Sequence, residues 1–81
     1  FMFQEVHSML MIATVQEVRQ RNLLVRDRTA GQEVIVNTNY ARCFSVGDRI
    51  SIFYNGAMTA SIPPQISAIR IRRIIPGCSC R

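Results

Sequence analysis

The chain contains no lysine and no tryptophan, one histidine, three cysteines, four phenylalanines and two tyrosines. Each scarcity removes a class of function. The lone histidine, His7, stands at no recognisable spacing from a serine or cysteine, so no nucleophile–base pair for covalent catalysis is visible. Three cysteines make no disulfide framework, which favours an even number. Structural zinc takes about four ligands. The tail pair Cys78 and Cys80 would have to recruit both Cys43 and His7 to reach that number. Neither a metal nor a cofactor is therefore expected. Long apolar runs are also missing. The longest, Met9–Val15, is strand-sized and far short of the ~18 residues of a membrane span. No basic segment precedes it, so it does not read as a signal peptide. The default expectation is a cytoplasmic protein; a start at Phe1 leaves a removed export signal open.

What is present is an ordinary apolar fraction, 48%, in 81 residues. That suits one globular domain with a small core. Ten arginines against five carboxylates give a net charge of +5. The basic excess permits polyanion binding, although the arginines are scattered rather than blocked.

Period-two alternation with β-branched residues marks five strands. The first covers Met11–Arg19, with Met11, Ala13, Val15 and Glu17 on one face and Ile12, Thr14, Gln16 and Val18 on the other. A polar turn, Arg19-Gln20-Arg21-Asn22, leads to the second, Leu23–Asp27. Gly31 closes a hairpin loop into the third, Gln32–Thr38. The segment Asn39–Val46 has room for one helical turn, and Tyr40, Phe44 and Val46 are expected to plug one barrel end. Gly47-Asp48 turns into the fourth strand, Arg49–Asn55, where Ile50, Ile52 and Tyr54 share a face. Asn55-Gly56 is a turn signal. The fifth strand is Ile66–Ile75, with Ile69 and Ile71 inward and Arg70 and Arg72 outward. Residues 1–10 read as a lead-in, 11–75 as the barrel and 76–81 as a flexible tail. The expected fold is all-β, a small five-stranded OB-like Greek-key barrel, with an SH3-like barrel as the alternative.

Val46 to Ile71 carries four local patterns: Gly47-Asp48, Tyr54-Asn55-Gly56, the spaced Thr59, Ser61, Pro63 and Gln65, and an Ile-rich final strand. In these it resembles a family of small bacterial OB-like β-barrel domains of uncharacterised function. The match runs from about Met11 to Ile74 and is most specific over residues 54–65. The resemblance implies an OB-like fold and brings no catalytic residues with it. Several such domains look exported, yet this chain carries no export signal of its own.

No pair of acid and base groups stands out, so an enzyme is not expected. Asp27 and Glu33 flank a hairpin loop beside Arg26 and Arg28, and Asp48 sits in a turn. In OB folds ligands meet strands two and three and the loops after strands one and four. That places Arg19, Arg21 and Asn22 in the first loop as candidate ligand contacts. Tyr54, Asn55, Thr59, Ser61 and Gln65 come from the second loop and its borders, and Arg70 and Arg72 from the last strand. Met58, Ile62 and Ile66 either fold back on the barrel or belong to a recognition loop. The leading expectation is a small non-catalytic binding or interaction module for a protein or an anionic small molecule. The alternative is a single-stranded nucleic-acid binder. Strands two and three hold no aromatic platform, which weighs against that alternative. Self-association through an open strand edge is also expected to be possible.

Overall fold

Strands form where the alternation is clean, and they end where glycine, proline or a polar turn interrupts it. The computed structural model describes residues 9–75. It contains β1 (Met9–Val18), β2 (Asn22–Asp27), β3 (Glu33–Asn37), a single 3-10 turn η1 (Ala41–Cys43), β4 (Arg49–Tyr54) and β5 (Gln65–Ile75). His7, Cys78 and Cys80, with the lead-in octet and the tail, lie outside the described residues.

The strands close into a barrel in the order β1-β2-β3-β5-β4. All neighbours are antiparallel except β3 and β5, which run parallel. The chain is thus all-β, a small five-stranded barrel, as its alternation implies. Inward positions supply the core: Met11, Ala13 and Val15 from β1, Leu23 and Val25 from β2, Val34 and Val36 from β3, Ile50, Ile52 and Tyr54 from β4, and Ile66 from β5. Closure leaves each strand a partner on both sides over part of its length, which limits exposed edges.

Besides a slip of the β4–β5 register between Arg49 and Ile50, three features depart from strict alternation, and each has a local cause. β1 starts at Met9, because Met9 and Leu10 still pair with Tyr54 and Phe53 of β4. Gly56 permits this close approach: its φ is +90°, and an added Cβ would sit 3.1 Å from Met9 Cγ. Second, the β1–β2 register slips between Val15 and Glu17. The bulge returns Val18 to the core side, where it packs on the buried cluster. Third, the β4–β5 register slips between Phe53 and Tyr54, so that Phe53 faces Arg70 while Tyr54 faces Ala68. Ile69 is the extra residue and is 65% exposed rather than inward. Ile71 keeps its expected place against the core. Bulges of this kind re-aim a side chain at the cost of one ladder position.

The end of the barrel beside η1 is closed differently from the expected plug. Tyr40 and Val46 are largely exposed, at 70% and 61%. The inward residue is Ala41, which has no exposed area, with Phe44 packed partly against the core. A latch holds this cap to β5. Asp48, 2% exposed, accepts through Oδ2 from the Ser45 amide at 2.8 Å and from Arg73 Nε at 2.9 Å. Arg73 Nη2 donates to the Cys43 carbonyl at 2.7 Å, and its guanidinium lies over the Phe44 ring, 5.5 Å from the centroid.

Candidate functional site

The parallel pairing of β3 with β5 lasts only from Ile35–Gln65 to Asn37–Ser67. β3 then ends and the chain turns into η1, while β5 runs on. Among the described residues no strand pairs with the β3-facing edge of β5 beyond Ser67. A groove of about 730 Å³ opens there. One wall is Asn37 at the end of β3 and the stretch that follows it, Thr38, Asn39 and Tyr40, continued by Cys43 and Phe44 of the cap. The other wall is Ala68–Ile71 of β5, and Arg21 of the β1–β2 turn stands at the rim.

Backbone hydrogen bonds fix this arrangement. The Thr38 amide donates to the Arg21 carbonyl at 3.1 Å, tying the β1–β2 turn to the groove wall. The Tyr40 amide donates to Thr38 Oγ1 at 3.1 Å, and the Cys43 amide to the Tyr40 carbonyl at 3.0 Å. Two arginines, Arg21 and Arg70, are the only charged groups among the lining residues; no carboxylate is among them. The surrounding carboxylates are engaged elsewhere: Glu17 with Arg19 at 3.0 Å, Glu33 with Arg26 at 3.4 Å and Asp48 with Arg73 at 2.9 Å. The groove therefore presents net positive charge beside an exposed aromatic ring and an exposed isoleucine.

The residues expected from the sequence to form one site are divided. Arg21 and Arg70 both line the groove. Asn22 starts β2 opposite Asn37, and its Oδ1 accepts no hydrogen bond among the described residues. Arg19 pairs with Glu17 outside the groove, and Arg72 of β5 is opposite Ser51. Tyr54 is corrected outright: it is 7% exposed and belongs to the core, because the unbroken alternation of β4 puts it on the same buried face as Ile50 and Ile52.

No residue of the long loop, 55–64, lines this groove. The hydroxyls of the loop shape the loop itself. Thr59 Oγ1 accepts from the Gln65 amide at 2.9 Å and contacts Ser61 Oγ at 2.6 Å, and Ser61 Oγ donates to the Pro63 carbonyl at 3.0 Å. The Ile35 amide donates to the Pro64 carbonyl at 2.9 Å, which anchors the loop on β3. Asn55 Oδ1 accepts from the Ala57 amide at 2.9 Å, and Gln65 Oε1 accepts from Asn37 Nδ2 at 3.3 Å. Of Met58, Ile62 and Ile66 only Ile66 folds into the barrel; Met58 is 40% exposed and Ile62, at the tip, 97%. A second, smaller groove of about 370 Å³ lies beside Ile62, Pro63 and Pro64, over Arg26, Gln32 and Glu33. Its charges are already matched, since Arg26 bonds both Glu33 and the Gly31 carbonyl.

Asn37, Thr38, Asn39, Tyr40 and Ile69 were not foreseen as site residues. The one signal for Tyr40 is its small neighbour, Ala41, which fits the crowded barrel end better than a ring does. Among the described residues no group of three His, Cys, Asp or Glu stands close enough to hold a metal ion. No helix among them is long and apolar enough to cross a membrane. No family model, curated protein or solved structure matches the chain.

Proposed function

We propose that this protein is a small non-catalytic binding module of the OB-like type, and that it holds an anionic ligand in the groove between the end of β3, η1 and β5. The observation that carries the reading is that Arg21 and Arg70 both line one groove with no carboxylate in its lining. A guanidinium fork matches phosphate or carboxylate geometry and keeps its charge at any working pH. The strand order with parallel β3 and β5 supports the OB-like assignment. In that fold the loop after strand one borders the ligand surface, and Arg21 comes from that loop.

The non-catalytic part of the proposal rests on how the acidic side chains among the described residues are used. Glu17, Glu33 and Asp48 are in ion pairs, and Asp27 Oδ1 accepts from the amides of Thr29 and Ala30 in its turn. General acid–base work needs such groups free to face a substrate.

Calorimetric titration with tripolyphosphate tests the reading. The unmodified protein is expected to bind, and Arg21→Gln/Arg70→Gln to weaken binding about tenfold or more, since contacts to charged groups are each worth on the order of 1.5 kcal/mol. Arg28→Gln, in the β2–β3 turn away from the groove, leaves the affinity in place. Absence of binding, or an equal loss from Arg28→Gln, contradicts the assignment.

A further inference from the structure

We infer that the groove takes a nucleotide unit, with its base stacked on Tyr40 and its phosphate held by Arg21 and Arg70, as offered by a single-stranded nucleic acid or a free nucleotide. The inference rests on the groove being the anion site and adds the class of ligand.

The position of Tyr40 carries it. Ala41 is fully buried and anchors the turn, so the residue before it is driven outward. Hydrogen bonds on both sides of Tyr40, to Thr38 Oγ1 and from the Cys43 amide, hold that backbone in place. The ring is left 70% exposed on a fixed support at a groove rimmed by two arginines. A tyrosine held this way loses little conformational freedom on binding and offers a flat apolar face. Base stacking on such a face is the sequence-tolerant part of single-strand recognition, and arginine supplies the backbone contact. Phe44 does not compete for this role, since its ring is already covered by Arg73.

The β5 bulge completes the arrangement. It turns Ile69 out of the core, to 65% exposure, and into the groove lining. The base therefore meets an aliphatic side chain as well as the ring. The groove volume, about 730 Å³, lies in the range of about 300–1,000 Å³ usual for small-ligand sites.

The open edge of β5 also invites a different occupant, an extended peptide added as a strand. The same bulge weighs against it. Bulged strands and flanking charges are devices by which sheet edges resist pairing, and β5 is bulged at Ile69 in its ladder with β4, next to Arg70.

The test is fluorescence anisotropy of a labelled oligothymidylate of about ten nucleotides, with ADP, tripolyphosphate and a polyglutamate peptide as competitors. The oligonucleotide is expected to bind, and Tyr40→Ala to weaken it by about 5- to 150-fold while tripolyphosphate affinity stays unchanged. Tyr40→Phe keeps the ring and restores the affinity. ADP competing as strongly per molecule as the unlabelled oligonucleotide identifies a free nucleotide as the source; weak competition identifies the strand. If Tyr40→Ala changes neither affinity while Arg21→Gln/Arg70→Gln weakens both, the stacking inference fails and the anion site stands. If the arginine substitutions change neither, the anion site itself is overturned. Polyglutamate bound more tightly than the oligonucleotide overturns the nucleotide inference in favour of a peptide. Tyr40 is exposed, so an unchanged melting temperature verifies that Tyr40→Ala is folded.

Discussion

Tyr54→Ala is expected to lower the free energy of unfolding by about 3–5 kcal/mol, the usual cost of deleting a buried aromatic ring. Marginal stability scales at about 0.05–0.15 kcal/mol per residue, or roughly 4–12 kcal/mol for a chain of this length. One such substitution thus removes a large share of the total. The argument is geometric. Tyr54 is 7% exposed and lies on the same inward face as Ile50 and Ile52. Its neighbour on β5, Ala68, is too small to fill the vacancy. Tyr54→Phe keeps the ring and costs less than about 1.5 kcal/mol. Urea unfolding of the three proteins measures this directly. A Tyr54→Ala protein as stable as the parent, with only its ligand affinity reduced, would return Tyr54 to the surface site that the sequence suggests.

The second large effect concerns the latch. Arg73→Met is expected to cost about 2–3 kcal/mol. Breaking a buried pair typically costs about 3–5 kcal/mol. Two features reduce it here: the Arg73 side chain is 41% exposed, so solvent screens the pair, and the Ser45 amide still donates to Asp48. The loss is nonetheless more than a surface ion pair gives, because the Asp48 side chain is 3% exposed and cannot turn to water when the guanidinium is gone. At about 4–8 °C per kcal/mol for a domain of this size, the melting temperature falls by roughly 8–24 °C. The double variant Arg73→Met/Asp48→Asn is expected to be less destabilised than the sum of the two single changes, the signature of directly coupled groups. Additive losses would show that Arg73 and Asp48 act independently.

Much of the barrel is legible in the alternation. Val34 and Val36, Leu23 and Val25, and Ile50 and Ile52 fall on the buried face that period two assigns them. The misplacements occur where the chain inserts one residue. Val18 and Ile69 are both displaced by bulges, and a bulge has no obligatory residue type that marks it in advance. Tyr54 is different. Its strand face was readable from Ile50 and Ile52, and only the turn beside it suggested a surface role.

The site was half legible for a related reason. Arg21 and Arg70 could be named, since turns and outward strand positions expose long cations. That both line one groove depends on the short parallel pairing of β3 with β5, which is a property of the closed barrel rather than of either segment. The region after β3 suggests a plug because Tyr40, Phe44 and Val46 are its large apolar residues. The barrel end has space for little more than Ala41 and part of Phe44, so the ring and the valine are left outside. The loop residues Thr59 and Ser61 were recognisable as polar, but not as partners in a loop that closes on itself.

The most direct test is an amide chemical-shift map of the protein during titration with tripolyphosphate. The groove assignment predicts concerted shifts at Arg21, Thr38, Tyr40 and Arg70, with Ala57–Ile62 of the long loop unmoved. Shifts centred on the long loop, with the groove amides silent, would contradict it.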